Sequence, residues 1–223
     1  MIQRNDPRFL DEIRRSLYTA VLSDVLDELG FRDQAMLSSI RPLDEDLVLA
    51  GFARTGLYRE VFEAPPGENP YELEIALVDD LQPGDIAVFG CCGSRRIAPW
   101  GELLSTASRA RGASGCVTDG FVRDVRAIRA LRFPVFHGGI APLDSKGRGK
   151  VVEIDTPIRC GGVAVAPGDL VFGDADGVIV VPRAVEDEAL RRALAKVAGE
   201  NTTRDELAAG AKLADVFARH RVL

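Results

Sequence analysis

Histidine and cysteine are scarce in this chain, with two histidines and four cysteines among 223 residues. Cys91 and Cys92 are adjacent, Cys116 and Cys160 stand apart, and no Cys-x-x-Cys pair occurs. His137 and His220 are the only imidazoles, so no zinc site of the cysteine and histidine type has its spacing. A metal is expected to be a hard one held by oxygen, magnesium or manganese. Long apolar runs are missing too. No stretch approaches the ~20 residues that a membrane helix needs. The segment Met1 to Pro7 lacks the apolar run of a secretory signal, so a cytoplasmic protein is expected. Nor is there an excess of base: 28 Lys and Arg stand against 34 Asp and Glu, a formal net charge of -6. That balance argues against a nucleic-acid surface, whereas a single local arginine can still hold a small anion. Walker loops, dinucleotide fingerprints and a serine-histidine-aspartate order are absent.

What is present is ordinary globular material, 46% hydrophobic and 28% charged. A chain of this length can bury roughly 70% of its unfolded surface without disulfides or a structural metal. Phe9, Ile13, Leu17, Val21, Val25 and Leu29 recur at helical steps and predict one amphipathic helix from Phe9 to Leu29, closed by Gly30. Leu47 to Tyr58 is β-rich, and Tyr71 to Leu81 has helical spacing. The middle then alternates strand and helix: Ile86–Phe89, Leu103–Ala110, a strand from Gly115, Val125–Leu131 and Phe133–Phe136. Such alternation predicts parallel strands with crossovers. Strands alone follow between Val151 and Val181. Two helices are expected at the end, Arg183–Ala198 and about Thr203–Arg219, the second opened by a capping box at Thr203 and Glu206. Pro83-Gly84-Asp85 and Pro167-Gly168-Asp169 echo each other as turn-then-strand units. No linker divides the chain. The expected architecture is one layered α/β domain over residues 1–223, with terminal helices from about 183.

Chemistry concentrates between Trp100 and Asp124. Gly101-Glu102-Leu103-Leu104 opens a helix, where unpaired N–H groups form a cradle for a carboxylate or phosphate. A strand is expected to end near Thr118, with a turn at Asp119-Gly120 and a helix from about Asp124. Ligands of α/β proteins gather outside the carboxyl ends of strands. There Arg123 can fork onto a carboxylate, and Asp124 can hold a hard cation. Arg-Asp also occurs at Arg32-Asp33 and Arg204-Asp205, but only the middle pair falls at a strand-to-helix turn. His137, the Cys91-Cys92 pair, Asp174-x-Asp176 and the loop Ser94-Arg95-Arg96 read as structural or solvated, although that loop could face the same crevice.

Glu102, twenty residues, then Arg123-Asp124 resembles the acidic-x20-Arg-Asp signature of the RraA-like family. The surroundings are similar as well: Asp119-Gly120-x-Val122, Phe133-Pro134-Val135-Phe136, Gly161-Gly162, Pro167-Gly168-Asp169 and Asp174-x-Asp176-Gly177-Val178. The resemblance runs from about Ser16 to Val181. It implies a β/β/α swivelling fold, assembly into trimers or hexamers, and active sites at subunit interfaces. It also implies a class II 4-hydroxy-4-methyl-2-oxoglutarate aldolase that decarboxylates oxaloacetate and depends on Mg²⁺ or Mn²⁺. Carried over by position, Gly101, Glu102, Leu103 and Leu104 would bind substrate through backbone N–H groups. Arg123 would contact its pyruvyl part, Asp124 would bind the metal, and Glu200 would reach the site from a neighbouring subunit. Relatives often carry aspartate where this chain has Glu102. Other members of the family act by inhibiting ribonuclease E through protein contacts, which is the competing expectation.

Overall fold

The computed structural model describes Arg4, Asp6 and residues 8–221. The chain runs α1 (Phe9–Ser16), α2 (Thr19–Glu28), β1 (Arg41–Pro42), β2 (Leu49–Glu60), α3 (Glu72–Asp79), β3 (Asp85–Gly90), α4 (Glu102–Ala110), β4 (Gly115–Val122), α5 (Val125–Leu131) and β5 (Val135–Ile140). It continues with β6 (Gly149–Ile154), β7 (Ile158–Cys160), β8 (Val163–Val165), β9 (Leu170–Asp174), β10 (Gly177–Val181), α6 (Glu186–Ala208) and α7 (Leu213–His220). Among the described residues, no helix is long and apolar enough to cross a membrane.

Eight strands form one sheet in the order β1-β5-β4-β3-β2-β9-β10, with β6 also pairing β2. The strands β2, β3, β4 and β5 are parallel, joined by α3, α4 and α5 as the strand-helix alternation predicts. The sheet curls until its edges nearly meet. Met36 N–H bonds to Val178 O at 2.9 Å, and Val180 N–H bonds to Gln34 O at 3.0 Å. A few residues on, Arg41 and Pro42 pair with β5. One short segment thus ties both edges of a mixed α/β barrel-like sheet.

Strands this apolar are explained by burial on both faces. In β3, Ile86 and Val88 point into the barrel with Val117, Phe136, Val163 and Val171, while Ala87 and Phe89 face Leu77, Trp100 and Ile128 under the helices. A third cluster joins α1, α2 and α6 to β9 and β10 through Ile13, Leu22, Leu26, Phe172, Ile179 and Leu190. The two Pro-Gly-Asp echoes are equivalent turns. Gly84 and Gly168 take φ +89° and +83°, and the Asp85 and Asp169 carboxylates accept the N–H groups of Gln82 and Ala166, each at 2.8 Å. Both turns lie against β2, so one device lays β3 and β9 on its two sides.

Four sequence expectations need correction. The helix from Phe9 to Leu29 is broken, with Leu17 and Tyr18 extended, because the Asp174 carboxylate accepts the N–H (2.8 Å) and hydroxyl (2.7 Å) of Thr19 and starts α2 afresh. The two terminal helices divide elsewhere. Helix α6 runs unbroken through Gly199 to Ala208, and the break follows at Gly210, whose φ is +90°. Thr203 is therefore a buried mid-helix residue and not a cap. Strand β4 does not turn at Asp119-Gly120 but continues to Val122 across a register shift against β5, in the manner of a bulge. The short hairpin of β7 and β8 had only its second strand foreseen.

Candidate active site

The route to the site begins with a parallel bridge between Trp100 and Val122, reinforced by Arg123 N–H to Trp100 O at 3.0 Å. The Trp100 indole donates to Ser105 Oγ at 2.8 Å, and Ser105 Oγ donates to Gly101 O at 3.0 Å. These bonds pin the start of α4 to the end of β4. Gly101 then meets Arg123-Asp124 so closely that a Cβ on it would stand 2.7 Å from Asp124 Oδ2 and 3.3 Å from Arg123 Cγ. Only glycine permits that approach.

Asp124 takes φ 59° and ψ 30°, a left-handed conformation that non-glycine residues adopt at a cost and that recurs at functional sites. Its backbone opens α5, while its carboxylate crosses to α4 and accepts the Glu102 N–H at 3.2 Å. The next two N–H groups of α4, those of Leu103 and Leu104, have no intrahelical acceptor. The Arg123 guanidinium donates to Leu143 O at 3.2 Å and lies 3.8 Å from Asp124 Oδ2 and 3.7 Å from Asp144 Oδ1. Its side chain is 40% exposed and lines the cleft, and the bond to Leu143 O leaves most of its five donors without a hydrogen bond among the described residues.

These groups line a cleft of about 360 Å³ that also includes Tyr71, Glu74, Trp100, Leu103, Leu104, Asp144 and Ser145. Tyr71 donates its hydroxyl to Asp144 Oδ2 at 2.8 Å. Against burial, that bond and the nearby Arg123 hold the Asp144 carboxyl below its usual range, while burial and Asp144 push the Tyr71 hydroxyl up to about 12. Burial also pushes the Glu74 carboxyl up to about 7, with the Tyr58 hydroxyl pulling the other way.

The structure brings Gly101, Leu103, Leu104, Arg123 and Asp124 together as the sequence suggested. Glu102 adds its backbone N–H, but its carboxylate turns along α4 and accepts the Thr106 hydroxyl at 2.8 Å. Glu200 is not brought to this cleft within the chain. It sits on α6, where Tyr18 donates its hydroxyl to it and Arg204 lies 4.0 Å away. Ser94 and Arg95 do not face this crevice either, lining a separate cavity of about 760 Å³ with Arg59, Cys92, Asp119 and Arg159. His137 is buried outside the cleft, its pKa lowered by burial and by Arg129. Sequence reasoning missed Tyr71, Glu74, Asp144 and Ser145. Glu74 did leave a signal, since it shares the buried face of α3 with Leu77 and Val78 at i+3 and i+4.

The donor set bears on which metal could fit. Among the described residues, no cluster of three histidine, cysteine, aspartate or glutamate side chains exists. One half-exposed carboxylate, Asp124, beside open space suits a hard ion that keeps most of its waters, as Mg²⁺ does, and does not suit zinc.

Fold and site together define an α/β protein with a small cleft between an arginine after a parallel strand and the start of a helix. Residues 19–180 match the model of the RraA-like family, described as Aldolase/RraA. The chain belongs to that family. It is 37% identical over 186 residues to a Halalkalibacterium halodurans protein named "Putative 4-hydroxy-4-methyl-2-oxoglutarate aldolase", covering 83% of this chain and 82% of that one. Among solved structures it resembles an uncharacterized protein from Pseudomonas syringae pv. tomato (TM-score 0.81, 26% identity, 96% of this chain and 99% of that one). It also resembles Streptomyces coelicolor RraAS2, described as an unusual member of the RNase ES inhibitor RraA family (TM-score 0.78, 29% identity, 92% and 99%).

Proposed function

We propose that this chain is a divalent-metal-dependent class II aldolase, a carbon–carbon lyase. It would cleave 4-hydroxy-4-methyl-2-oxoglutarate or a related 4-hydroxy-2-oxo acid to pyruvate and also decarboxylate oxaloacetate. The observation that carries this reading is the convergence of the Arg123 guanidinium, the Asp124 carboxylate and the start of α4 on one small cleft. Its volume of about 360 Å³ suits a small dicarboxylic acid better than a polymer.

In this reading the Leu103 and Leu104 N–H groups hold the carboxylate of the 2-oxo acid, and Arg123 forks onto its oxygens. Both reactions leave an electron pair on a pyruvate enolate, and a fixed guanidinium stabilises that charge without a proton transfer. Asp124 is the residue that would hold Mg²⁺ or Mn²⁺, and the bound ion would supply further positive charge to the keto oxygen. Glu200 would complete the site from a neighbouring copy, which makes a homotrimer or hexamer the working form.

The test is pyruvate release from oxaloacetate and from 4-hydroxy-4-methyl-2-oxoglutarate, with Mg²⁺ or Mn²⁺ and with excess chelator. Release that needs the ion is expected, and equal release in chelator would overturn the metal role. The likeness to RraAS2 favours one second reading, a regulator that inhibits ribonuclease E without catalysis. Slowed RNA cleavage by ribonuclease E in the presence of a chain inactive on both acids would replace the aldolase with it.

A further inference from the structure

Glu74 is an unusual resident of a cleft wall. It is 5% exposed, yet it makes no ion pair among the described residues, and the polar group that acts on it at short range is the Tyr58 hydroxyl. The Tyr58 hydroxyl is itself buried, with Glu74 and Ser145 as its polar neighbours. Buried carboxyls are normally paired with a cation or several donors, and one held without an ion pair costs stability. Glu74 lies one turn before Leu77 and Val78 on the buried face of α3, where that face reaches the cleft. Leu77 and Val78 fill the cluster beneath α3, while Glu74 lines the cleft that also holds Arg123 and Asp124. The groups around it are Tyr71 on the turn before α3, Tyr58 on β2, Cys116 on β4, Arg123 after β4, and Asp144 after β5. Of these, only Arg123 is cationic, and its Nη1 lies 3.7 Å from Asp144 and donates to Leu143 O.

We propose that Glu74 is the proton donor that converts the pyruvate enolate to pyruvate in this cleft. The inference rests on the aldolase reading and adds to it the group that ends the reaction. The Glu74 carboxyl gives its proton to C3 of the enolate. A C–H bond forms from the enolate electron pair, the keto group is restored, and the electrons of the broken O–H bond stay on the carboxylate. In aldol cleavage the proton lost from the C4 hydroxyl balances the one delivered, and in decarboxylation solvent restores it. A carboxyl that remains protonated near neutral pH suits this task, and burial supplies that condition here. The same group run backwards removes a methyl proton from bound pyruvate.

The experiment uses the full chain with Mg²⁺ and compares the parent with Glu74→Gln and Glu74→Asp. It follows oxaloacetate decarboxylation and the exchange of pyruvate methyl protons in D₂O by proton NMR. Glu74→Gln is expected to lose about 100-fold or more in both kcat and exchange, with KM little changed, and Glu74→Asp to recover part of each. Carbon-13 NMR of labelled glutamate in the parent is expected to show one carboxyl titrating well above the ordinary glutamate range and missing in Glu74→Gln. Parental kcat and exchange in Glu74→Gln, a loss confined to KM, or an ordinary Glu74 titration would each overturn the proposal. A parent that neither cleaves, decarboxylates nor exchanges would overturn the aldolase reading itself, and this inference with it.

Discussion

Two cavities of this protein each hold a carboxyl group with little access to solvent, half-buried Asp119 in one and buried Glu74 in the other. The larger, about 760 Å³, contains Asp119, Arg59, Arg95 and Arg159, and by size and charge it would be the first choice for an anion site. Its carboxylate and one of its arginines are engaged by the backbone. Asp119 accepts the N–H groups of Cys91 at 2.6 Å and Gly161 at 3.3 Å, and Arg159 donates to Gly162 O at 2.6 Å. The smaller cleft, about 360 Å³, holds a left-handed Asp124, an Arg123 with donors to spare and a buried Glu74 that makes no ion pair among the described residues. Volume alone therefore does not separate the two cavities. What distinguishes the smaller cleft is a buried carboxyl without an ion pair beside a left-handed aspartate.

That contrast fails if Asp124 can be neutralised without consequence. Asp124→Asn is expected to keep the fold, because the amide oxygen can still accept the Glu102 N–H, and to lose about 100- to 1000-fold in metal-dependent turnover. Circular dichroism and oxaloacetate kinetics on one preparation check this, and full turnover in excess chelator would contradict it.

The stability arm of the comparison concerns Glu74. Its folded pKa of about 7 lies above the ordinary value of 4.5, so between those values the native state binds more protons than the unfolded chain. Its contribution therefore falls as pH rises through that window and levels off above it. Glu74→Gln removes the ionisation and is expected to be more stable than the parent above pH 7, by up to about 3 kcal/mol, with little difference at low pH. Urea unfolding of both proteins at pH 5 and 8 reads this directly. Equal midpoints at both values would mean that the carboxyl is as well solvated as any on the surface.

Asp119 should behave in the opposite way. Asp119→Ala strands the Cys91 and Gly161 N–H groups and is expected to lose about 1–3 kcal/mol of stability while oxaloacetate kinetics stay within about twofold. A large kinetic loss with unchanged unfolding would move the site to the larger cavity. The smallest effect is expected from Arg123→Lys, about tenfold in kcat/KM or 1.4 kcal/mol, because a point charge replaces a planar fork. Near-parental kinetics would make the arginine a structural residue.

Much of the site was legible locally. The Arg123-Asp124 pair at a strand-to-helix junction and the opening of α4 at Gly101 are short-range features, and the structure joins them through the Trp100–Val122 bridge. Tyr71 and the Asp144-Ser145 pair were invisible because they come from two separate loops, before α3 and after β5, and no spacing in the chain relates either to Arg123-Asp124. Glu74 lay in between. Its polar side chain on an apolar helix face was visible, but what that face would meet was not.

The same division holds for the fold. Strands β3, β9 and β10, the turns at Gly84 and Gly168, and the α3, α4 and α5 crossovers follow from apolar runs, Pro-Gly pairs and helical spacing, all interactions that close within a few residues. Tertiary contacts decided the rest. Asp174 breaks α1 from α2 across 155 positions of sequence, and β5 draws β4 past its expected end. Packing of α6 on α2 through Ala189, Leu190 and Ala193 offsets the roughly 1 kcal/mol that Gly199 costs a helix interior. In each case a local preference of about 1 kcal/mol met a hydrogen bond or buried surface supplied by a distant segment, and the distant contribution was larger.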